Sequence, residues 1–544
     1  MTESSTGTAK TLARGYGSVI GAAVVFLLIA LLVHPVARAE EQEATGAGPV
    51  AAGPTQATTA GPAGGVSKVQ TSAGSAGVAG SAGSAGGVGT ASACSDRLAQ
   101  VPGDPYSPPC MAFSGNNGGA TSKGVTKDSI TVSVRQLEGP SAGELFASIT
   151  GEQVNDSPQA YVDTVNAYAD YFNSRFQLYG RKIKLKFFHG QGIGSNELLG
   201  GGRETALADA LQASQEIGAF ADITGITLPY SDALARQHVV NFGAPYPSQK
   251  WFEDRDPYTW SLFPDGTSAA DVSASWIIAR LGSSKFVQYA PDFKGKPRVY
   301  AIIAPENPEY QESVGRYVSQ LAAANIHPVL NLKYKLDLST MVNQASGIVA
   351  QLKDKGVTSV ICACDPVMLA LGLTPKSNEQ SYNPEWLTSG LAFVEQDLVG
   401  QLIDPKQWQH AFGIAYNAKP EPLGSSFPYA AYKQMRPNDE PSFGFEEIYY
   451  QMYLLAIGLQ MAGPNLNPQT FRNGMFAYPG GRGPRGTWGF GPGDYTPTND
   501  VREIWWSTTA ISTQNNKPGA WIELNGGRRY LPGQIPHAPA PYFQ

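Results

Sequence analysis

Four cysteines and six histidines are the first residues of this chain that could do chemistry. Their spacing argues against most of it. His189, His238, His327 and His410 are scattered, whereas a zinc site draws several donors together from close pairs. Cys362-Ala363-Cys364 would need further Cys or His ligands nearby, and no second close pair supplies them. Residues i and i+2 of a strand share a face but bridge poorly, so these two cysteines read as small apolar residues ending a buried strand. Cys94 and Cys110 would close a short Pro/Gly-rich loop, and a disulfide between them is expected. The segment GQGIGSN (190–196) lacks the third glycine of a dinucleotide fingerprint and follows a polar strand, KIKLKFFH, so it reads as a loop. There is no Gly-x-Ser-x-Gly elbow, and no carboxylate pair announces general acid–base work. The expectation is a protein that is not an enzyme, with no catalytic residues, no cofactor and no metal.

At 544 residues the chain is too long for one core, which implies two or three folded units. It is 42% hydrophobic and 15% charged, with a net charge of −6. Removing residues 1–39, which hold Lys10, Arg14 and Arg38 against Glu3, leaves −8. An acidic body without Lys/Arg runs excludes a nucleic-acid partner, whose phosphates it would repel. Lys10 and Arg14 precede an apolar run from Val19 to Val33, and Ala37-Arg38-Ala39 is a small-x-small site before Glu40. That is the layout of a secretory signal peptide. The run is short for a membrane span of about 20 residues, but residues 15–36 could stretch across. Residues 1–39 are therefore a signal peptide released after Ala39 or a retained membrane anchor, and the body is exported either way.

Residues 40–93 are Gly/Ala/Ser-rich with SAGSAG near-repeats and cannot bury enough surface to fold. As a coil of about 54 residues they would span on the order of 40 Å. Residues 94–124 form a Cys/Pro/Gly-rich irregular collar. Strand and helix periodicity then alternates. Strands are expected at Ile130–Val134, at Ile183, Leu185 and Phe187, near Phe220–Thr224 and Val239–Gly243, and at Arg298–Ala304, Pro328–Tyr334 and Ser359–Cys362. Between them, Tyr161, Val165, Tyr168, Phe172 and Phe176 share one helical face, and further helices span about 203–217, 268–281 and 443–461. Near-continuous apolar strands separated by amphipathic helices mean parallel sheets covered on both faces, an α/β protein.

In order along the chain stand "ITVSVRQLEGPSAG", "FADITGITLPYSDALA", "FGAPYPS", "YTWSLFPDGTSAADVSASWI", "PENPEYQES" and "GTWGFGPGDYTPTND". Together, over roughly Val125 to Leu524, they resemble the type I periplasmic-binding-protein family, in its branched-chain amino-acid (Leu/Ile/Val) substrate-binding branch. The resemblance implies two Rossmann-like lobes joined by three hinge crossovers. Lobe 1 would be 125–263 plus 415–480, lobe 2 264–414 plus 485–524, and 525–544 a Pro-rich tail. It also implies a small-molecule solute held between the lobes, an ABC permease as partner, and a monomer.

Ligands of open parallel sheets bind beyond the carboxyl ends of strands, which selects the turns. Thr227, Tyr230 and Ser231 could offer hydroxyls beside a helix N-terminus able to hold a carboxylate, or Ser231 merely caps that helix. Ala244, Tyr246 and Ser248 lie in the next turn, either as contacts or as a rigid loop. Asp265 at the first crossover is a ligand contact or a helix cap, and Tyr310 an aromatic wall or a surface ring. Where amino-acid binders place a carboxylate from lobe 2, this chain has Leu391 or Ala392, with Glu395 a few residues late. Asp365 could substitute, or simply cap the helix that Pro366 opens. Phe445, opening the long helix, touches ligand or packs in the core. The expected function is an extracytoplasmic solute-binding protein of an ABC uptake system taking an amino acid, amide, or carboxylic or aromatic acid. The alternatives are a receptor-type ectodomain on the same fold and a non-binding cell-envelope protein.

Overall fold

The structure is a computed structural model that describes residues 100–138, 155–282, 285–419, 421 and 426–543. The expected leader or anchor (1–39), the tether (40–93) and Cys94 lie outside the described residues. Cys110 is disulfide-bonded.

The first sheet is wholly parallel, in the order β2-β1-β3-β4-β5. Its strands are β1 (Ser129–Glu138), β2 (Lys182–Ile193), β3 (Ala221–Asp222), β4 (Val240–Phe242) and β5 (Thr259–Trp260). Helix α1 (Pro158–Arg175) begins where the sequence marks it, with Pro158 in its first turn and the Ser157 hydroxyl accepting from the Ala160 N–H at 3.1 Å. Its buried face of Val165, Tyr168 and Phe172 meets Tyr449 and Tyr453 of the long helix α2 (Phe445–Met461).

The second sheet runs β7-β6-β8-β9-β10 in parallel. Its strands are β6 (Tyr300–Pro305), β7 (Leu330–Tyr334), β8 (Ser359–Cys362), β9 (Glu385–Thr388) and β10 (Ala411–Ala415). A hairpin, β11 (Gly481–Gly483) and β12 (Gly486–Trp488), precedes β13 (Val501–Ile511) and β14 (Pro518–Glu523), which extend the second sheet antiparallel beyond β10. The alternation of β6 explains its unbroken apolar run. Ala301 and Ile303 face one core, Tyr300, Ile302 and Ala304 the other, because successive side chains point to opposite faces and both are covered.

Two expectations change. The strand β2 continues through Gly190–Ile193, read from sequence as a loop. The cause is tertiary: Asp209 accepts from the Gln191 N–H at 2.7 Å and the Gly192 N–H at 3.3 Å, and any Cβ on Gly190 or Gly192 would collide with Asp209 or Glu197. Cys362 and Cys364 are bridged to each other rather than being inert apolar residues. Two strand residues that far apart lie about 6.6 Å from one another. Here β8 ends at Cys362, and the turn brings the Cα atoms to 5.0 Å, within bridging range.

The Pro-rich tail is also folded, with β15 (Arg529–Tyr530) pairing β13. Tyr542 is buried against Phe412 at 4.8 Å between ring centres. Its hydroxyl accepts from Trp276 Nε1 at 2.8 Å and donates to Glu503 at 3.1 Å, the same carboxylate that holds Arg280 at 2.6 Å. Truncating such a ring costs about 3–5 kcal/mol. Tyr542→Ala is expected to lower the unfolding free energy by roughly that amount, read as a lower midpoint in chemical denaturation.

Candidate functional site

The chain passes between the two cores three times: after Trp260, after Tyr416, and between Tyr495 and Val501. Where these crossovers meet, a shallow recess opens to solvent, its enclosed part amounting to about 20 Å³. Leu262, Phe263 and Pro264 come from the first crossover, Tyr416 and Asn417 from the second, and Thr498 from the third. Tyr246 reaches it from the turn after β4, Arg485 from the β11–β12 turn, and Gly390 and Glu395 from the segment after β9.

Glu395 is the chemically conspicuous member. It is 2% exposed. Asn417 Nδ2 donates to Oε1 at 2.8 Å, while Oε2 has no partner among the described residues. Burial pushes its carboxyl up to about 7, although its own backbone N–H, the Arg502 charge and the Asn417 hydrogen bond pull the other way. The turn that carries it is strained, since Ala392 and Phe393 both sit at positive φ, 56° and 60°. Arg485 brings the opposite charge. Its guanidinium lies 4.0 Å over the Tyr450 ring and 4.0 Å from Glu446. Aromatic surface lines the recess between them, with Tyr246 and Phe263 at 5.9 Å and Phe263 against Phe393 at 5.5 Å.

Of the ten residues selected from sequence, the structure brings Tyr246 alone to this recess. Thr227 is buried and donates to Glu197 at 2.6 Å. Tyr230 donates to Asp222 at 2.9 Å, with the Arg135 guanidinium 3.4 Å over its ring, and Ser231 donates to Asn241 at 2.6 Å. All three are engaged inside the first lobe by a buried cluster in which Arg135 grips Glu197 at 2.7 Å and Asp209 at 3.1 Å. Ala244 and Phe445 are fully buried in cores. Asp265 and Asp365 are helix caps: Asp265 accepts from the Ser268 N–H at 2.8 Å, Asp365 from the Val367 N–H at 2.9 Å and the Tyr334 hydroxyl at 2.5 Å. Burial raises both carboxyls above the usual range.

Ser248 and Tyr310 sit instead where the lobes touch, at the start of helix α3 (Pro308–Ala323). Tyr310 is half-buried in its first turn. Ser248 Oγ donates to Glu312 at 2.7 Å, and Arg203 meets Glu309 at 2.8 Å beside it. Sequence reasoning missed Arg485, Asn417, Tyr416 and Thr498, and noted Glu395 only as out of place. The Glu395 signal was present, because a Glu two residues past a positive-φ turn can point inward where the expected position cannot.

The sign of the Glu395 effect on stability follows from its raised value. Its contribution is fully present below the unfolded carboxyl value of 4.5 and is lost as pH rises through about 7. That interval corresponds to a loss of about 3 kcal/mol. Glu395→Gln, which cannot ionise, is expected to gain in melting temperature relative to the native protein between pH 4.5 and 7.5, with the difference flat above that range.

A family model described as periplasmic binding protein matches residues 145–507. Among curated proteins, no sequence matches the chain. Solved structures share its fold at low identity. A fatty acid ABC transporter substrate-binding protein from Thermomonospora curvata is 13% identical with a TM-score of 0.51, the match covering 78% of this chain and 99% of that one. A solute-binding protein of an ABC transporter from R. palustris, solved with 4-hydroxybenzoate, is 12% identical with a TM-score of 0.51, covering 75% and 98%. The leucine-, isoleucine-, valine-, threonine- and alanine-binding protein from Brucella ovis, in its closed conformation, is 13% identical with a TM-score of 0.52, covering 76% and 98%. Two parallel-sheet lobes, three crossovers and a family match over two-thirds of its length place this chain in the periplasmic binding protein family, with the type I architecture.

Proposed function

We propose that the chain is the extracytoplasmic solute-binding component of an ABC uptake transporter, taking a small organic solute into the recess between its lobes and presenting the closed form to a membrane permease. The observation that carries this reading is the recess itself, where all three crossovers converge on a buried carboxylate lacking part of its hydrogen-bonding complement. A solute touching Tyr246 on one side and Glu395 on the other favours the closed arrangement of the lobes, because it binds that state better than the open one. No covalent chemistry is involved. Family membership supports an extracytoplasmic location. The fold neighbours whose names mention fatty acid, 4-hydroxybenzoate or amino acids support solute binding without selecting a solute.

One observation favours a second reading, a family member that no longer binds: the hydroxyls of Thr227, Tyr230 and Ser231 are all engaged within the protein. A thermal-shift screen of amino acids, aromatic acids, fatty acids, amides and amines separates the two. A ligand at one hundred times its Kd adds about 2.7 kcal/mol to the folded state, so at least one compound class is expected to raise the melting temperature by several degrees. A flat response to every class would leave only the non-binding reading.

A further inference from the structure

We infer that the recess takes a compact organic cation, an alkyl- or quaternary ammonium without a carboxylate, with Glu395 as its counter-charge and Tyr246, Phe263 and Tyr416 as aromatic walls. This rests on the solute-binding reading above.

The charges around the recess decide the sign. Glu395 is buried with one oxygen unpartnered, and such a group costs free energy unless something arrives to satisfy it. The charged neighbours do not complete it. Arg502 points its guanidinium at Glu523, at 3.0 Å, and at the backbone carbonyls of Asn417 and Ala418. Asp397, on the same segment as Glu395, is occupied by the Trp521 N–H and the Ser512 hydroxyl. Tyr246 faces the carboxylate from the other lobe.

Arg485 is the cation that could welcome an acid. Its guanidinium lies 4.0 Å from Glu446 and 4.0 Å over the Tyr450 ring, and Glu447 adds a second acid to its field. The lobe-1 hydroxyls that could hold a ligand carboxylate donate to Glu197, Asp222 and Asn241 instead. A ligand anion requires Glu395 to stay protonated, whereas a cation is matched by its ionised form. An ammonium meets that charge and the faces of aromatic rings, which attract cations. Because burial holds Glu395 near neutrality in its free form, an arriving cation displaces the Glu395 proton.

The test uses the mature chain with choline and ethanolamine as cationic probes, and leucine, 4-hydroxybenzoate and octanoate as carboxylate probes. Calorimetry at pH 6.5 in buffers of different ionisation enthalpy is expected to show proton release on cation binding, absent at pH 8.5. The Kd for the cation should fall about tenfold from pH 6 to pH 8, as expected for a group titrating near 7. Glu395→Gln, checked for native circular dichroism, is expected to weaken choline binding at least tenfold. Arg485→Gln, which removes a like charge from the recess, should tighten it, whereas for a carboxylate ligand the same change would weaken binding. Melting-point gains with the carboxylates but not the cations would overturn the cation assignment and leave solute binding standing. No gain with any probe in the wider screen would remove both.

Discussion

An ionisable group taken out of water without its full set of partners is the constraint on which the centre of this molecule turns. Glu395 is 2% exposed and accepts a side-chain hydrogen bond from Asn417 at 2.8 Å. Residues of all three crossovers line the recess beside it: Asn417 and Tyr416 from the second, Phe263 from the first, Thr498 from the third. The turn before it places two non-glycine residues in left-handed conformation, at a cost of about 1–2 kcal/mol each. Strain and desolvation thus fall in the same few residues, where the lobes hinge, while the sheets on either side are conventionally packed. Concentrations of that kind mark sites where stability has been given up for another purpose.

The first lobe handles its buried charge in the opposite way. Arg135, Glu197 and Asp209 have side chains at most 1% exposed, and the contacts run at 2.7 and 3.1 Å. Gly190 and Gly192 let those carboxylates approach β2, whose own N–H groups donate to Asp209. Asp222 collects donors from Ser133, Thr224 and Tyr230. Breaking such a set by removing one member strands the others, which typically costs about 3–5 kcal/mol. The cluster is therefore a rigid support at the carboxyl ends of β1 and β3.

This division explains what the sequence could tell. Sheet strands were legible because each is an apolar run with a face in two cores, as Tyr300–Pro305 is, and helix starts were legible because Ser157-Pro158 is a local signal. Gly190–Ile193 was misread because its strand character depends on Asp209, many residues downstream. Cys362 and Cys364 were misread because a strand rule was applied one residue beyond the strand. At the site, the sheet-end rule selected turns but could not tell which hydroxyls face inward: Thr227, Tyr230 and Ser231 all find partners from other elements. Arg485 and Thr498 lie on a hairpin and a crossover, which carry no periodic signature, and their proximity to Glu395 exists only in three dimensions.

The contacts that clasp the lobes put a bound on what a solute has to do. Arg203–Glu309 pairs an arginine with a 62% exposed side chain with a shielded acid, an interaction worth at most about 1 kcal/mol. The Ser248–Glu312 hydrogen bond adds about 1.5–3 kcal/mol, as a bond to a charged group. Reversing an equilibrium from one closed molecule in a hundred to ninety-nine takes about 5.5 kcal/mol. The Ser248 N–H also donates to the Glu309 carbonyl at 3.3 Å, and a solute that shifts the equilibrium further toward closure must itself bind the closed state more tightly. Contacts to one lobe alone cannot provide the difference, since they exist equally when the lobes are apart. The bias has to come from atoms that meet only on closure; under the proposed reading those are Tyr246 from the first lobe and Glu395 from the second.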